Sequence, residues 1–319
     1  MSLIEQAARR LEQLRQAGVQ IPEIDEPAPV VPPMPVAAAE PLPRPTAAAY
    51  NAAPAVSRSI MLDLEMLAQK GIVTPNAPRS FIADQYRVVK RPLISNAINR
   101  GDAAVKHSNL IMVTSALSGE GKSFTSINLA MSIAAELDHT VMLVDADVAR
   151  PSVLKVLGLD PAPGLLEVLE GKADLASTLL RTNVDKLTLL PSGTPHPKAT
   201  ELLASDAMGA LLDDIATRYP DRIVIFDSPP LLLTTESRVL ASHMGQVVIV
   251  VHAGRTLQAE VQHALSTIDG CPIRLMLLNK ARAIGKDSYG YGYGYGYGYG
   301  YGYGYGADKG LEPSTVSRD

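Results

Sequence analysis

A short glycine-containing segment carries residues that could do chemistry on phosphate groups. It reads Gly119-Glu120-Gly121-Lys122-Ser123 and follows the apolar run Leu110–Val113. Glycines let backbone N–H groups curl around phosphate oxygens, and the helix expected to begin here adds positive potential. Lys122 would then reach the β- and γ-phosphates, and the Ser123 hydroxyl would ligate Mg²⁺. The strict motif has glycine where this chain has Ala116, so the pattern fails by one residue.

Three aspartates stand directly after two further apolar runs. Asp145 and Asp147 follow Val141–Val144, and Asp227 follows Ile223–Phe226. In parallel α/β sheets ligands bind beyond the carboxyl ends of the strands, so we expect these aspartates at the same edge as the phosphate loop. One aspartate after a strand usually caps a turn or helix. Three beside a phosphate loop favour a cluster for metal binding and proton transfer, in which Asp227 would hold the Mg²⁺ shell.

A second unusual segment lies near the C-terminus, where tyrosine alternates with glycine. Nine of the 12 tyrosines fall in it: Tyr289, Tyr291, Tyr293, Tyr295, Tyr297, Tyr299, Tyr301, Tyr303 and Tyr305. Glycine at every second position makes ordering entropically costly, and the run has no aliphatic residue to bury. By composition alone it is either a low-complexity linker or an accessible array of phenol groups that accept phosphate.

The elements that must position these groups are strands separated by helical segments. Six apolar runs predict strands: Leu110–Val113, Val141–Asp145, Leu187–Leu190, Ile223–Phe226, Val247–Val251 and Ile273–Leu278. The runs are continuous rather than alternating, as expected for strands covered on both faces. We therefore predict an α/β fold, P-loop NTPase-like, with a mostly parallel sheet flanked by helices.

The segments before the first strand predict helices and a tether. Residues 2–17 suit a short amphipathic helix, which either docks on a partner or is a frayed terminus. Residues 59–71 and 80–91 predict two more helices, the second stopped by Pro92. The expected organisation is a docking helix at 1–20, a semi-rigid Pro/Ala-rich linker at 21–57, one globular domain at 58–285 and a disordered tyrosine-rich tail at 286–319.

Composition excludes several classes of function. The net charge is -4 and the pI about 5.9, which gives no electrostatic case for nucleic acid. Cys271 is the only cysteine, so no intrachain disulfide can form, which fits a reducing cytoplasm. We expect Cys271 to be a small residue of the hydrophobic core. No apolar run approaches the ~20 residues that span a bilayer, so a membrane role must come through a partner.

Together these motifs resemble the bacterial tyrosine kinases (BY-kinases), the phosphate-loop autokinases of exopolysaccharide and capsule production. The resemblance covers roughly residues 58–306. It rests on the phosphate loop S-A-L-S-G-E-G-K-S, the motif V-D-A-D-V-A-R-P, the stretch I-V-I-F-D-S-P-P and the tyrosine tail. The stretch D-Q-Y-R-V-V-K-R-P-L is similar to the branch encoded with exosortase-linked exopolysaccharide loci. Without membrane spans, the chain resembles the cytoplasmic stand-alone type.

This resemblance implies an ATP- and Mg²⁺-dependent protein-tyrosine autokinase that phosphorylates its own tail and regulates exopolysaccharide synthesis or export. Asp145 would be the base or orienter for the phenol, which is a weak nucleophile because its pKa is about 10. Lys122 would offset charge developing on the phosphoryl group, and Asp147 would share in catalysis. The implied nucleotide-binding residues are Ser118, Gly119, Glu120, Gly121, Lys122, Ser123, Phe124 and Asn279. The implied metal-binding residues are Ser123, Asp145, Asp147 and Asp227.

The N-terminal assembly pattern of the family, E-x-x-R-x-x-R, appears here as Asp84, Arg87 and Lys90. One helix face can present these three residues either to a neighbouring subunit or to solvent, and the resemblance favours a subunit contact. Lysine cannot reproduce bidentate arginine geometry. A second departure is Arg150, which stands one residue after the family's arginine position, Ala149, so its role at the phosphates stays open.

The resemblance also implies partners. These are further copies of the chain in a ring that phosphorylates tails in trans, a separate membrane chain-length or copolymerase activator, and a cognate tyrosine phosphatase. The chain would then lie at the inner face of the cell membrane through its partner.

Three other functions remain as alternatives. A positioning ATPase of similar fold carries a lysine where this chain has Leu117. A Gly-Tyr structural protein that merely binds nucleotide would place no phosphate on the tail. A regulatory pseudokinase would be expected to lack some of Lys122, Asp145, Asp147 and Asp227, all of which are present.

Overall fold

The structure is a computed structural model that describes residues 58–75, 80–99, 101, 105–218 and 221–281. The predictions for the N-terminal helix, the Pro/Ala-rich linker and the tyrosine tail fall outside these ranges.

Eight strands form a single sheet within the described residues. They are β1 (Arg58–Ser59), β2 (Leu110–Ser115), β3 (Thr140–Asp145), β4 (Leu180–Arg181), β5 (Leu187–Leu190), β6 (Arg222–Asp227), β7 (Gln246–His252) and β8 (Ile273–Asn279). Their order across the sheet is β1-β4-β5-β3-β6-β2-β7-β8. Neighbouring strands are parallel except for β4 and β5, so the prediction of a mostly parallel sheet is confirmed. The sequence missed β1 and β4, which are two residues long and too short to show a pattern.

Ten helices accompany this sheet in the described ranges. They are α1 (Leu64–Gln69), α2 (Phe81–Ile98), α3 (Lys122–Ala134), α4 (Val153–Leu157), α5 (Leu165–Leu169), α6 (Leu175–Thr178), α7 (Ala199–Leu203), α8 (Asp206–Arg218), α9 (Glu236–Ser242) and α10 (Gln258–Ser266). Two buried hydrophobic clusters lie on the two faces of the sheet, and successive residues of a strand belong to different clusters. Ile111 shares one cluster with Ile127 of α3, and Met112 shares the other with Leu212 of α8. Helices therefore cover both faces, which explains the continuous apolar runs.

The prediction that Pro92 stops its helix is wrong. The helix α2 begins after Ser80 and continues through Pro92 to Ile98. Proline removes one backbone donor and crowds the preceding turn. Here Leu93 and Ile94, immediately beyond it, are buried in the core, and their burial stabilises the longer helix.

The helix predicted at residues 59–71 is shorter than expected. Arg58 and Ser59 pair with β4 instead, and α1 starts after Asp63. The Asp63 carboxylate accepts a 2.9 Å hydrogen bond from the backbone N–H of Met66, which is the usual role of an N-terminal capping residue.

Two smaller expectations can also be compared with the structure. Cys271 is buried in the core, as predicted. No helix in the described part of the chain is both long and apolar enough to cross a membrane.

Candidate active site

The phosphate loop connects the end of β2 to the start of α3. Gly119 and Gly121 have φ of 83° and 100°, a region that favours glycine. Gly121 is the N-terminal cap of the 13-residue helix α3, and a Cβ there would lie 2.2 Å from Nδ2 of Asn279. Ala116 has no positive φ, so the missing first glycine introduces no backbone strain. The loop and the helix N-terminus provide the backbone donors that phosphate binding needs.

The buried side chain of Glu120 stabilises the conformation of this loop through hydrogen bonds. It is 3% exposed, and its Oε2 accepts a 2.7 Å hydrogen bond from the N–H of Leu117. Its Oε1 accepts a hydrogen bond from the Thr256 hydroxyl, beyond the end of β7. The sequence grouped Glu120 with the nucleotide ligands. In the structure its carboxylate positions the loop.

Two residues at the end of β8 reach the same loop. The amide Nδ2 of Asn279 donates to the Glu120 carbonyl at 2.9 Å, and Nζ of Lys280 donates to the Gly119 carbonyl at 2.7 Å. Asn279, predicted as a nucleotide-binding residue, thus ties the edge strand to the loop. The sequence missed Lys280, whose signal was its position directly after a strand at the ligand-binding edge.

The other predicted loop residues differ in exposure. Ser118 is exposed on the loop, whereas Phe124 is half-buried and its side chain packs into the core beneath α2. Only the backbone of Phe124 is therefore suited to phosphate binding.

The three aspartates come together beside this loop. Asp145 and Asp227 are directly paired across the parallel strands β3 and β6. All three carboxylates are buried, with Asp145 1%, Asp147 4% and Asp227 0% exposed. Nζ of Lys122 lies 2.5 Å from Oδ2 of Asp147. This ion pair joins α3 to the aspartate cluster.

Asp145 has one buried oxygen without a hydrogen-bond partner among the described residues. Its Oδ2 accepts 3.0 Å hydrogen bonds from the N–H groups of Ser152 and Val153. Its Oδ1 is buried and has no hydrogen-bond partner among the described residues. Burial and the neighbouring charge of Asp227 raise the pKa of Asp145 to about 7. A carboxyl group with that pKa is suited to accept a proton at neutral pH.

Asp227 and two serines complete the buried cluster. The Ser126 hydroxyl donates to Oδ1 of Asp227 at 3.1 Å, while Oδ2 of Asp227 is another buried oxygen without a partner in the described residues. Burial raises the pKa of Asp227, against the opposing effect of the Lys122 charge. The hydroxyl groups of Ser123 and Ser152 are 2.7 Å apart. The sequence did not single out Ser126, which lies within α3, or Ser152, which directly precedes α4.

The described residues contain no group of three or more His, Cys, Asp or Glu side chains spaced to hold a metal ion by themselves. Mg²⁺ usually takes one or two carboxylates together with substrate phosphates and water. The orphaned oxygen of Asp227, next to the Ser123 and Ser126 hydroxyls, fits such a role. Asp145, predicted as a further metal ligand, already uses one oxygen on the backbone.

Arg150 stands one residue after the family's arginine position, and the structure shows where its side chain and backbone lie. Arg150 is exposed, and its backbone N–H donates to Oδ1 of Asp147 at 3.2 Å.

On α2, Asp84 and Arg87 form an exposed 2.7 Å ion pair. Lys90 differs from both, since it is 4% exposed and its Nζ lies 2.8 Å from Glu136. Lys90 is therefore engaged within the chain, and of the three predicted contact residues Asp84 and Arg87 are the accessible ones.

The comparisons with known proteins agree with this geometry. A family profile described as "ParA: NUBPL iron-transfer P-loop NTPase" matches residues 106–178. Tyrosine-protein kinase YwqD of Bacillus subtilis (strain 168) is 30% identical over 224 residues, covering 70% of this chain and 91% of that protein. Tyrosine-protein kinase wzc of Salmonella typhi is 32% identical over 187 residues, covering 57% of this chain but 26% of that protein. This chain thus spans about a quarter of the length of that second relative.

Solved kinase domains have the same fold. The kinase domain of Escherichia coli tyrosine kinase ETK superposes with a TM-score of 0.54 at 25% identity, covering 73% of this chain and 98% of that chain. The VpsO kinase domain superposes with a TM-score of 0.54 at 27% identity, covering 63% of this chain and 96% of that chain.

Proposed function

The chain belongs to the family of bacterial tyrosine-protein kinases, and we propose that it transfers the γ-phosphoryl group of ATP to the tyrosines of its own tail, Tyr289–Tyr305. The observation that carries this proposal is the buried, unpartnered Oδ1 of Asp145 beside the Lys122–Asp147 pair and the phosphate loop. A carboxylate in this position suits removal of a proton from a neutral phenol.

In the proposed step the phenol O–H bond breaks and its proton goes to Oδ1 of Asp145. A bond forms between the phenol oxygen and the γ-phosphorus, and the bond between that phosphorus and the β,γ-bridging oxygen breaks. The products are phosphotyrosine and ADP. The two backbone donors on Oδ2 hold the Asp145 carboxyl in one orientation throughout.

The remaining residues bind and orient the phosphates. Lys122 carries the positive charge that would offset charge on the transferred group, and Asp147 holds its ammonium in place. Ser123 and Asp227 would hold Mg²⁺, which when bound neutralises phosphate charge and orients the leaving group. Glu120, Asn279 and Lys280 act indirectly by fixing the loop.

Intact-mass measurement after incubation with Mg-ATP tests this function. We expect additions of single phosphate units, mapped by fragmentation to residues 289–305. Asp145→Asn should reduce the phosphorylation rate by about 10²–10⁴-fold, the usual effect of losing a general base. A chain that hydrolyses ATP without acquiring any phosphate on its tail would refute the proposal.

We propose that phosphorylation occurs in trans within a ring of copies. An extended chain spans up to ~3.3–3.6 Å per residue, and we propose that the tail extends into the active site of a neighbouring copy. Asp84 and Arg87 are the accessible charges for the ring contact. Mixing a Lys122→Met chain with a tail-deleted chain distinguishes the routes, because only transfer in trans labels the Lys122→Met tail.

Full phosphorylation of nine tyrosines would add roughly 14 to 18 negative charges to each tail at about -1.5 to -2 per phosphate. Tails carrying this charge repel each other, so we propose that phosphorylation loosens the ring. An oligomer mass that stays constant after full phosphorylation would contradict this.

Regulation of exopolysaccharide synthesis or export is part of the proposal. Support comes from the family and from the similarity to tyrosine-protein kinase wzc. We propose that the chain works in the cytoplasm at the inner face of the membrane, with a separate membrane activator of the chain-length or copolymerase class and a tyrosine phosphatase.

The alternative function is a positioning or regulatory ATPase without kinase activity. The profile match over residues 106–178 favours it, because the matched profile describes a P-loop NTPase and not a kinase. ATP hydrolysis with an unmodified tail would support this alternative.

A further inference from the structure

A cavity of about 460 Å³ opens beside Asp145, and none of its lining residues belongs to the phosphate loop. Its apolar wall consists of Pro151, Leu154, Leu159, Pro161, Ala162 and Pro195. Its volume falls within the ~300–1,000 Å³ range of small-ligand pockets. The nucleotide-binding residues do not explain this cavity.

We propose that this cavity, the acceptor pocket, binds the ring of the tyrosine that is to be phosphorylated, and that Glu167 is a positioning residue that holds its wall. The proposal rests on the proposed function and adds to it the site of the second substrate. It also names the side chains that select tyrosine.

The chemistry of the acceptor pocket matches a phenol side chain. Tyrosine has an apolar ring with one polar tip that needs a hydrogen-bond partner when buried. Most of the wall is apolar, although Lys155 and Ser192 also line it. Asp145 lines the same cavity, and its Oδ1 is buried without a hydrogen-bond partner. A serine or threonine hydroxyl sits on Cβ, so it would reach Asp145 only if its backbone entered the cavity. The pocket thus favours tyrosine by length as well as by apolar contact.

The wall of the acceptor pocket is held by Glu167, which lies on α5 outside the cavity. Its Oε2 accepts a 2.7 Å hydrogen bond from the N–H of Gly164, and its Oε1 accepts a 2.9 Å bond from the N–H of Thr194. One carboxylate thereby joins the segment that contains Ala162 to the segment that contains Pro195. Burial by itself would raise the pKa of Glu167, but these backbone donors hold it below its ordinary value.

Backbone geometry supports the same junction. The N–H groups of Leu165 and Leu166 donate to the carbonyls of Pro191 and Ser192 at 2.8 and 3.0 Å. Gly193 has a φ of 97°, and a Cβ there would lie 2.3 Å from Oε2 of Glu167. The two segments are therefore fitted closely around this carboxylate, as expected for a wall that must keep its shape.

Peptide binding tests the acceptor pocket separately from catalysis. The enzyme is the full chain with its nine tail tyrosines changed to serine, so that the tail cannot compete. The ligand is the peptide S-Y-G-Y-G-Y-G with a fluorescent label, measured by anisotropy. The variant Ala162→Leu fills the cavity, and its matched control is Ala210→Leu, on an exposed part of α8. We expect at least a tenfold weaker peptide Kd for Ala162→Leu and an unchanged Kd for the control.

The positioning role of Glu167 is tested by its kinetic signature. Glu167→Gln keeps the shape of the side chain but removes one acceptor, and Glu201→Gln is the control at an exposed site. We expect Glu167→Gln to raise the KM for the peptide about tenfold while kcat and the Kd of a fluorescent ATP analogue stay within twofold. A merely structural role would lower thermal stability and ATP-analogue binding together.

The outcomes separate this proposal from the proposed function. If the tail-substituted chain with Ala162 intact binds the peptide, Ala162→Leu weakens this binding, and the peptide is never phosphorylated, the kinase function fails and the pocket stands. If the chain phosphorylates the peptide and folded Ala162→Leu has a wild-type Kd and KM, the pocket is refuted. The peptide S-F-G-F-G-F-G provides a further check, because it should compete with the tyrosine peptide in the control but not in Ala162→Leu.

Discussion

Replacing Asp145 by asparagine should remove a large part of the pH dependence of folding stability. The folded-state pKa of this carboxyl is about 7, against an ordinary value of 3.8, because it is buried next to Asp227. Between about pH 4 and pH 7 the folded protein therefore keeps a proton that the unfolded chain has lost. The free energy of unfolding must then fall as pH rises through this window and level off above pH 7.

The magnitude follows from the shift. About three pH units at about 1.4 kcal/mol per unit give roughly 4 kcal/mol in total, of which about 3 kcal/mol falls between pH 5 and pH 8. Asp145→Asn retains an oxygen for the N–H groups of Ser152 and Val153 but cannot ionise. The variant should lack the part of this decline that comes from Asp145, so it should be more stable than the wild type at pH 8 although its phosphorylation rate is strongly reduced.

Urea denaturation at pH 5, 6, 7 and 8, at low salt and without nucleotide or Mg²⁺, measures this difference. The matched control is Asp160→Asn at an exposed position, which should keep the wild-type slope. If wild type and Asp145→Asn lose stability in parallel between pH 5 and pH 8, the burial and charge argument for Asp145 is wrong.

Further predictions concern α2 and the phosphate loop. Lys90→Met should lower the free energy of unfolding by about 1–3 kcal/mol, because it removes the buried cation of Glu136, which keeps the exposed Arg91, and the buried hydrogen bond to the Ser132 carbonyl. Arg87→Met, at a 50% exposed position, should change stability by less than about 0.5 kcal/mol but reduce oligomer mass in native mass spectrometry. If Lys90→Met and Arg87→Met destabilise the protein equally, the distinction between a buried Lys90 and an exposed Arg87 is wrong. Gly121→Ala should weaken binding of an ATP analogue at least tenfold, because a Cβ would strike the Asn279 amide. Gly119→Ala, with open space around its Cβ position, should have a smaller effect, and similar Kd values for the two would count against the steric argument.

The local sequence was sufficient to predict the strands and the functional residues that follow directly after them. All six apolar runs became strands, and the three aspartates lie at the edge that the order of strand, loop and helix implied. This works because a strand buried on both faces needs a continuous apolar run, and its carboxyl end then opens on the ligand edge. The short strands β1 and β4 escaped detection, since two residues carry no periodicity.

Side-chain roles that depend on distant neighbours were not visible in the sequence. Lys90 matched an exposed assembly motif but is buried against Glu136, which lies 46 positions further along the chain. Glu120 is predicted among the nucleotide-binding residues, but the sequence does not reveal that its carboxylate accepts a hydrogen bond from Thr256, beyond β7. The helix α2 continues past Pro92 because burial of Leu93 outweighs the local penalty of proline.

The sequence by itself determined the class of chemistry: a phosphate loop, three strand-end aspartates and the family to which their motifs belong. The tertiary structure alone decided which oxygen of Asp145 is free, why its pKa is raised and which side chains wall the cavity beside it. The physical reason is that backbone donors at Ser152, a carboxylate on a neighbouring strand and the Glu167 brace act through space. Burial and charge proximity are properties of the packed sheet edge, and spacing along the chain does not contain them.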